Sequence, residues 1–245
     1  MIIILLTACI NPGNTPFTFL NNQEERKMQY IKALKFYLSN SNFKIVFADN
    51  SNVDISSSFS QEIESGRLEY LTFQGNKDKE RGKGVGECEI IQYALRNSKI
   101  INRYQKVRVQ KITGRLIIKN INLINNIHRL CFSRNTVFFS INSDISFPDT
   151  RCIIAPKSFY TKLLNMKSAI DDSVGYYFEH ALLDTLIKEK DYSYSPFFIQ
   201  PDIIGMSGTT GKLYKSKSKE ITSILKYIKF AASLRSKFRK KYRSN

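Results

Sequence analysis

Met1-Ile-Ile-Ile-Leu-Leu-Thr-Ala-Cys9 is an unbroken apolar run that stops at Asn11-Pro-Gly13. A strand covered on both faces reads as a continuous run rather than an alternation, which is the habit of parallel sheets flanked by helices. The run lacks a charged leader and is far shorter than the roughly 20 apolar residues a membrane span requires, so it is expected to be a buried first strand. Outward from it, residues 28–38 place Met28, Ile31, Leu34, Phe36 and Leu38 near helical spacing. Residues 43–48 read as a second strand ending at Asp49-Asn50-Ser51, and residues 68–73 as a third, stopped by Gly75-Asn76. A glycine-rich loop, Gly82-Lys-Gly-Val-Gly-Glu87, feeds a helix over about 88–97, and a fourth strand spans 107–118. The order β-α-β-β-α-β with short connections predicts an α/β fold with a mostly parallel central sheet flanked by helices.

The chain has 245 residues, 42% of them hydrophobic, enough to bury a full core. Its formal charge of +17 calls for an anionic partner. From Lys212 onward there are twelve basic residues and one acidic residue, so this tail holds +11 and the body only +6. The cysteines Cys9, Cys88, Cys131 and Cys152 form no C-x-x-C pair, and there are two histidines. A zinc site or disulfide framework is therefore not expected, and a reducing cytoplasm fits best. No other stretch approaches the length of a membrane span.

In a doubly wound sheet, ligands bind beyond the carboxyl ends of the strands. Thr7, Asp49-Asn50-Ser51, the glycine loop with Lys83, Gly84 and Gly86, and the segment Lys111-Ile-Thr113-Gly-Arg115 should then face one crevice. Two cations around a Thr-Gly turn suit a phosphate, because arginine offers a bidentate fork and glycine lets the backbone approach. Lys83 at a helix N-terminus suits a phosphate cradle. The glycine loop is not a dinucleotide fingerprint, since it does not follow the first strand, and it lacks the G-K-[ST] of a P-loop. Asp49 can accept hydrogen bonds from a base or ribose; Asp-Asn-Ser is equally the composition of an Asx-turn. Lys111 and Arg115 also fit a solvated strand edge.

Leu5-Leu-Thr-Ala8, Phe47-Ala-Asp-Asn-Ser51, Gly82-Lys-Gly-Val-Gly-Glu87, Lys111-Ile-Thr-Gly-Arg115, Tyr177-Phe-Glu-His180 and Ser207-Gly-Thr-Thr-Gly211 occur in that order. Together they resemble GT-A glycosyltransferases, more narrowly bacterial enzymes of capsule and lipopolysaccharide clusters, over residues 1–215. The resemblance implies a Rossmann-related, GT-A-like fold. Residues 1–125 would form the nucleotide-sugar half, 126–211 the acceptor half of the same domain, and 212–245 a basic tail. It also implies transfer of a sugar from a nucleotide donor to a hydroxyl of a surface polysaccharide. The family's metal-binding Asp-x-Asp is replaced here by Lys111 to Arg115. Fixed cations, namely Lys111, Arg115 and Lys83, would then meet the charge of the leaving diphosphate, so no cofactor is predicted. A divalent metal, Mg or Mn, stays open through acids elsewhere, such as Asp144 or Asp149.

In inverting members of that family an acidic residue at a helix start in this region takes the acceptor's proton, and Glu179 matches it; a first-turn acid also complements the helix dipole. His180 is a candidate for the diphosphate or a packed histidine, and Arg151 for a substrate anion or an ordinary salt bridge. Residues 201–211, with Ser207 and Thr210, read as a loop able to close over the donor or as a linker. In the tail, Ile221, Ile224, Leu225, Ile228, Ala231, Ala232, Phe238 and Tyr242 recur at helical intervals among Lys and Arg. Such a basic amphipathic helix over 219–243 suits the anionic inner face of the cytoplasmic membrane, docking on the body, or nucleic acid. The competing functions are a nucleic-acid-binding protein and a sugar-phosphate transferase on a similar fold.

Overall fold

The computed structural model describes residues 1–131, 135–142, 145–215, 231–233, 236–238 and 240. Its strands are β1 (Ile2–Ala8), β2 (Ile45–Asp49), β3 (Leu68–Thr72), β4 (Arg108–Thr113), β5 (Ile117–Ile118), β6 (Thr136–Ile141), β7 (Pro148–Pro156), β8 (Ser193–Ser195), β9 (Ile203–Met206) and β10 (Leu213–Tyr214). Its helices are α1 (Gln23–Asn40), α2 (Ser60–Glu64), α3 (Lys83–Asn97), α4 (Lys99–Asn102), α5 (Ile121–Cys131), α6 (Lys157–Leu163) and α7 (Phe178–Lys188).

All seven residues of β1 are buried. Ile3 and Leu5 face one apolar cluster with α3, α6 and α7, while Ile4, Leu6 and Ala8 face another with α1 and α5. The seven-stranded sheet runs β3-β2-β1-β4-β7-β6-β8. Its pairs are parallel except for β4 with β7 and β6 with β7. The expected α/β, mostly parallel sheet flanked by helices is thus the observed architecture. The hairpin of β6 and β7 carries the sheet from the first half of the chain into the second.

Several expected boundaries shift for identifiable reasons. The buried stripe of α1 is Arg26, Tyr30, Ala33, Leu34 and Tyr37, a helical spacing phased differently from the expected one, and Met28 is exposed. The fourth strand does not run to residue 118. It ends at Thr113, and the chain leaves the sheet so that β5 pairs with β9, beside β10. The Tyr37 hydroxyl fixes this departure by donating to the Leu116 carbonyl (2.9 Å) and accepting from the Ile118 N–H (3.0 Å). The segment 201–211 is therefore not a loose loop, since β9 belongs to this small sheet. α3 begins at Lys83 rather than near 88, so Gly84 and Gly86 lie in its first turns.

Most of 219–243 lies outside the described residues. Within it, Ala231 and Phe238 are buried, and the Phe238 ring sits 4.4 Å from that of Tyr194. Phe238 thereby joins the apolar cluster of α3, α6 and α7. No helix among the described residues is long and apolar enough to cross a membrane.

Candidate functional site

The parallel strands β1, β2 and β4 end at one edge of the sheet, and a cleft with two chambers opens there. The inner chamber is lined by Thr7, Asn50, Gly86, Thr113 and Arg115, together with Arg26, Tyr30, Asn76 and Gly208. The outer chamber is lined by Gly84, Lys111, Thr150, Asp172, Glu179 and Thr209 and by the rings of Phe17, Phe147, Tyr177 and Phe178. Lys83, Glu87 and Thr113 line both chambers.

Three cations converge on the inner chamber. Arg26 points off α1 into the β1 loop, where its guanidinium donates to the carbonyls of Cys9 and Leu20. Arg115 follows the Thr-Gly turn and donates to the Met206 carbonyl. It passes so close to Gly208 that a Cβ there would lie 2.5 Å from its Nη2. Lys83 reaches the Phe17 carbonyl and the Thr209 hydroxyl, both at 2.6 Å. Among the described residues, none of the three has a carboxylate within ion-pair distance. Burial lowers the pKa of Lys83, and the fields of Arg115 and Arg26 push the same way against Asp172. Burial likewise lowers that of Arg115. The chamber thus gathers three cations against the single carboxylate of Glu87, which is itself paired with Lys111.

Lys111 differs from the expected free cation. It sits inside β4, 2% exposed, ion-paired with Glu87 and donating to the Thr150 carbonyl at 2.8 Å. A residue two positions before the strand end has its side chain in the covering layer, so its charge is met internally. Glu87 also accepts from the Thr7 hydroxyl at 2.8 Å.

The α3 N-terminus is not an open phosphate cradle. Asp172 already occupies it, accepting from the N–H groups of Lys83 (2.7 Å) and Gly84 (3.3 Å). Gly82 makes room, with φ of 95° and an ideal Cβ position only 2.3 Å from the Asp172 carboxylate. The glycines thus admit an internal anion.

Asp49 is also committed. Fully buried, it accepts from the N–H groups of Ile10, Ser51 and Val53 and from the Ser51 hydroxyl, so it ties the β1 and β2 loops together rather than facing a base. Ser51 accepts from the Asn11 N–H as part of the same knot. Asn50, 1% exposed, lines the cleft, and its buried Oδ1 has no donor among the described residues.

Glu179 lies on the first turn of α7 and accepts from the Thr150 hydroxyl at 2.6 Å. Burial raises its pKa above the ordinary carboxylate value, opposed by Thr150 and Lys111. His180 turns its Nδ1 onto the Tyr177 N–H (3.1 Å) and stacks on the Tyr177 ring, a local helix cap. Arg151 is not offered to a substrate anion. It pairs with Asp149 and lies 4.3 Å from the centre of the Tyr214 ring. Ser207 and Thr210 build a turn, Thr210 N–H donating to Ser207 Oγ at 3.2 Å, and it is Thr209 that reaches the cleft. The described cysteines Cys9, Cys88 and Cys152 are free thiols, each pushed by burial to about 12, so none is a ready nucleophile.

No family model and no curated protein matches the chain. Several solved structures show a distant likeness. One is the glycosyltransferase GlyE of Streptococcus pneumoniae TIGR4, 11% identical, with a TM-score of 0.43, covering 79% of this chain and 44% of that one. The chain therefore spans less than half of GlyE's length. Another is a cytidylyltransferase from Leptospira borgpetersenii serovar Hardjo-bovis (strain JB197), 15% identical, with a TM-score of 0.42, covering 96% and 94%. Likenesses this distant assign no activity.

The segment that the motif resemblance would set at a metal does not suit one. Hard divalent cations take oxygen ligands, chiefly carboxylates, whereas Lys111, Thr113 and Arg115 offer two cations and a hydroxyl. Among the described residues no group of three His, Cys, Asp or Glu side chains converges, and Asp144 lies outside those residues.

The residues that pattern reading missed are Arg26, Asn76, Glu87, Thr150, Asp172 and Thr209. Only Arg26 left a usable signal, since its spacing from Tyr30, Ala33 and Tyr37 puts it on one helical face.

Proposed function

We propose that this chain is a glycosyltransferase that moves a sugar from a nucleotide donor to an acceptor hydroxyl. The observation that carries this reading is the set of Arg26, Lys83 and Arg115 around one chamber without carboxylate partners, beside a buried carboxylate of raised pKa in the next. Arg26 is buried and Lys83 and Arg115 are half-buried, and cations drawn out of water without an adjacent carboxylate are costly unless a ligand anion completes them. A diphosphate is an anion of the right charge and reach, with Arg115 and Lys83 nearest the leaving group. Asn50 Oδ1, lacking a donor among the described residues, suits an N–H or O–H of the nucleoside.

In the reaction, the acceptor oxygen attacks the anomeric carbon, the bond from that carbon to the diphosphate oxygen breaks, and the acceptor proton passes to Glu179. The negative charge that develops on the diphosphate is met by fixed guanidinium and ammonium groups. A direct displacement of this kind inverts the anomeric centre. A base with a raised pKa is better matched to neutral pH. The resemblance of the motifs points to capsule or lipopolysaccharide as the acceptor class. The cationic 219–243 segment suits an anionic membrane face on the cytoplasmic side.

The test is release of nucleoside diphosphate from a panel of UDP-, GDP-, CDP- and dTDP-sugars, with bacterial surface oligosaccharides as acceptors. Glu179→Gln should bind donor normally and lose about 10²- to 10⁴-fold in turnover, the range for a general base. Normal turnover by that variant would remove Glu179 from the role.

A further inference from the structure

The two chambers carry opposite charge. Counting lining side chains, the inner one has Arg26, Lys83 and Arg115 against Glu87, whereas the outer one has Glu87, Asp172 and Glu179 against Lys83 and Lys111. In the outer chamber Lys111 is already paired with Glu87. An anionic headgroup or a phosphorylated acceptor would find Lys83 as its one cation there that is not paired with a carboxylate, facing Asp172 and Glu179.

The same chamber opens through aromatic rings that the fold leaves in solvent. Phe17 is 58% exposed, Phe147 43% and Tyr177 38%. Phe147 meets Tyr177 edge to face at 6.1 Å, and Tyr177 stacks on His180 at 5.4 Å, so the two rings share one aromatic cluster with His180. Large exposed rings gathered at the mouth of a cleft mark a binding surface rather than incidental exposure. An aromatic face is negative and attracts weakly positive C–H edges. A neutral pyranose carries a patch of axial C–H groups on at least one ring face and hydroxyls around its rim. Those hydroxyls find carboxylate and hydroxyl acceptors in Glu179 and Thr209.

We infer that the outer chamber is an acceptor subsite for an uncharged pyranose ring, stacked on Phe147 and Tyr177 with one hydroxyl presented to Glu179. Resting on the transferase reading above, the inference adds which residues choose the acceptor. It also adds that the sugar next to the new bond is neutral.

The experiment is saturation-transfer NMR on the full chain. The probe is an equimolar mixture of the methyl pyranosides of glucose, galactose, mannose and N-acetylglucosamine, with UDP, CDP and GDP present to fill the inner chamber. Ring C–H protons of at least one pyranoside should receive saturation. The Phe147→Leu/Tyr177→Ala double variant should lower that transfer about fivefold or more, as expected from loss of two ring contacts, while Tyr177→Phe retains it. Calorimetric affinity for the nucleoside diphosphates should stay within about twofold in every variant, since the rings lie outside the charged contacts that dominate phosphate recognition. Retained diphosphate binding also shows that the variants fold. Diphosphate binding with no saturation of any pyranoside, or saturation unchanged in the double variant, overturns the subsite and leaves the donor reading standing. Absence of both kinds of binding in the wild type overturns both.

Discussion

Arg115 and Lys111 stand four residues apart in one motif, yet replacing them should have opposite consequences. Arg115→Gln removes a half-buried guanidinium that has the Met206 carbonyl as its partner and, among the described residues, no carboxylate within ion-pair distance. Loss of that hydrogen bond costs about 1 kcal/mol, and relief of a half-buried charge without a carboxylate partner offsets it. Stability should therefore stay within about 1 kcal/mol of wild type. A charge-assisted contact to a phosphate is worth about 1.5–3 kcal/mol, so nucleoside diphosphate affinity should fall about 10- to 150-fold. Lys111→Met instead strands Glu87, whose side chain is 22% exposed against 2% for Lys111. Breaking a buried pair costs about 3–5 kcal/mol, and the partial exposure of Glu87 puts this one near the lower figure. Urea unfolding measures the first quantity and calorimetry with UDP, CDP and GDP the second. If Arg115→Gln binds diphosphate as wild type does, or destabilises more than Lys111→Met, the division between a ligand-facing and a structural cation is wrong.

Other outcomes follow from the same geometry. Gly208→Ala places a methyl 2.5 Å from Arg115 Nη2 at a position without a positive φ, so donor KM should rise several-fold, on the order of one hydrogen bond, with little change in urea midpoint. Asp172→Ala removes the carboxylate from the first N–H groups of α3 and should cost about 0.5–2 kcal/mol, the range for a helix cap, read by urea unfolding. Because burial raises the Glu179 pKa, kcat/KM should climb as pH rises through that raised value, where the base ionises. Stability has the opposite sign: a raised carboxyl pKa favours the folded state at low pH, and this contribution is lost as pH rises through the folded value. Wild type should thus lose stability relative to Glu179→Gln over that interval in a pH series of urea melts.

Much of the sheet is legible in the sequence because β1 and β2 are covered on both faces, which leaves an apolar run no other element mimics at that length. The second half is less so. β7 enters antiparallel between β4 and β6, and its inward and outward residues carry no signature of direction. Glu179, singled out by the resemblance, and Arg115, singled out at a strand-end turn, both line the cleft, since a helix start and a strand-end turn are local events. Local spacing fails where partners lie far apart in sequence. The glycine loop invites a phosphate, and nothing near it announces that Asp172, about ninety residues later, supplies the carboxylate. Lys111 reads as free for the same reason, its partner Glu87 lying on another element. Asp49 was readable either way, and the number of donors around it, from both β1 and β2 loops, is a tertiary fact.

Under the proposed function, fixed cations at the sheet edge hold the diphosphate of a nucleotide sugar. The most direct measurement of that contact is calorimetric titration of the wild-type chain with UDP-, GDP-, CDP- and dTDP-sugars in buffer containing EDTA. At least one donor should bind, and its affinity should be unchanged when EDTA is replaced by Mg or Mn. Heat from none of them, or binding that EDTA abolishes, would contradict the account.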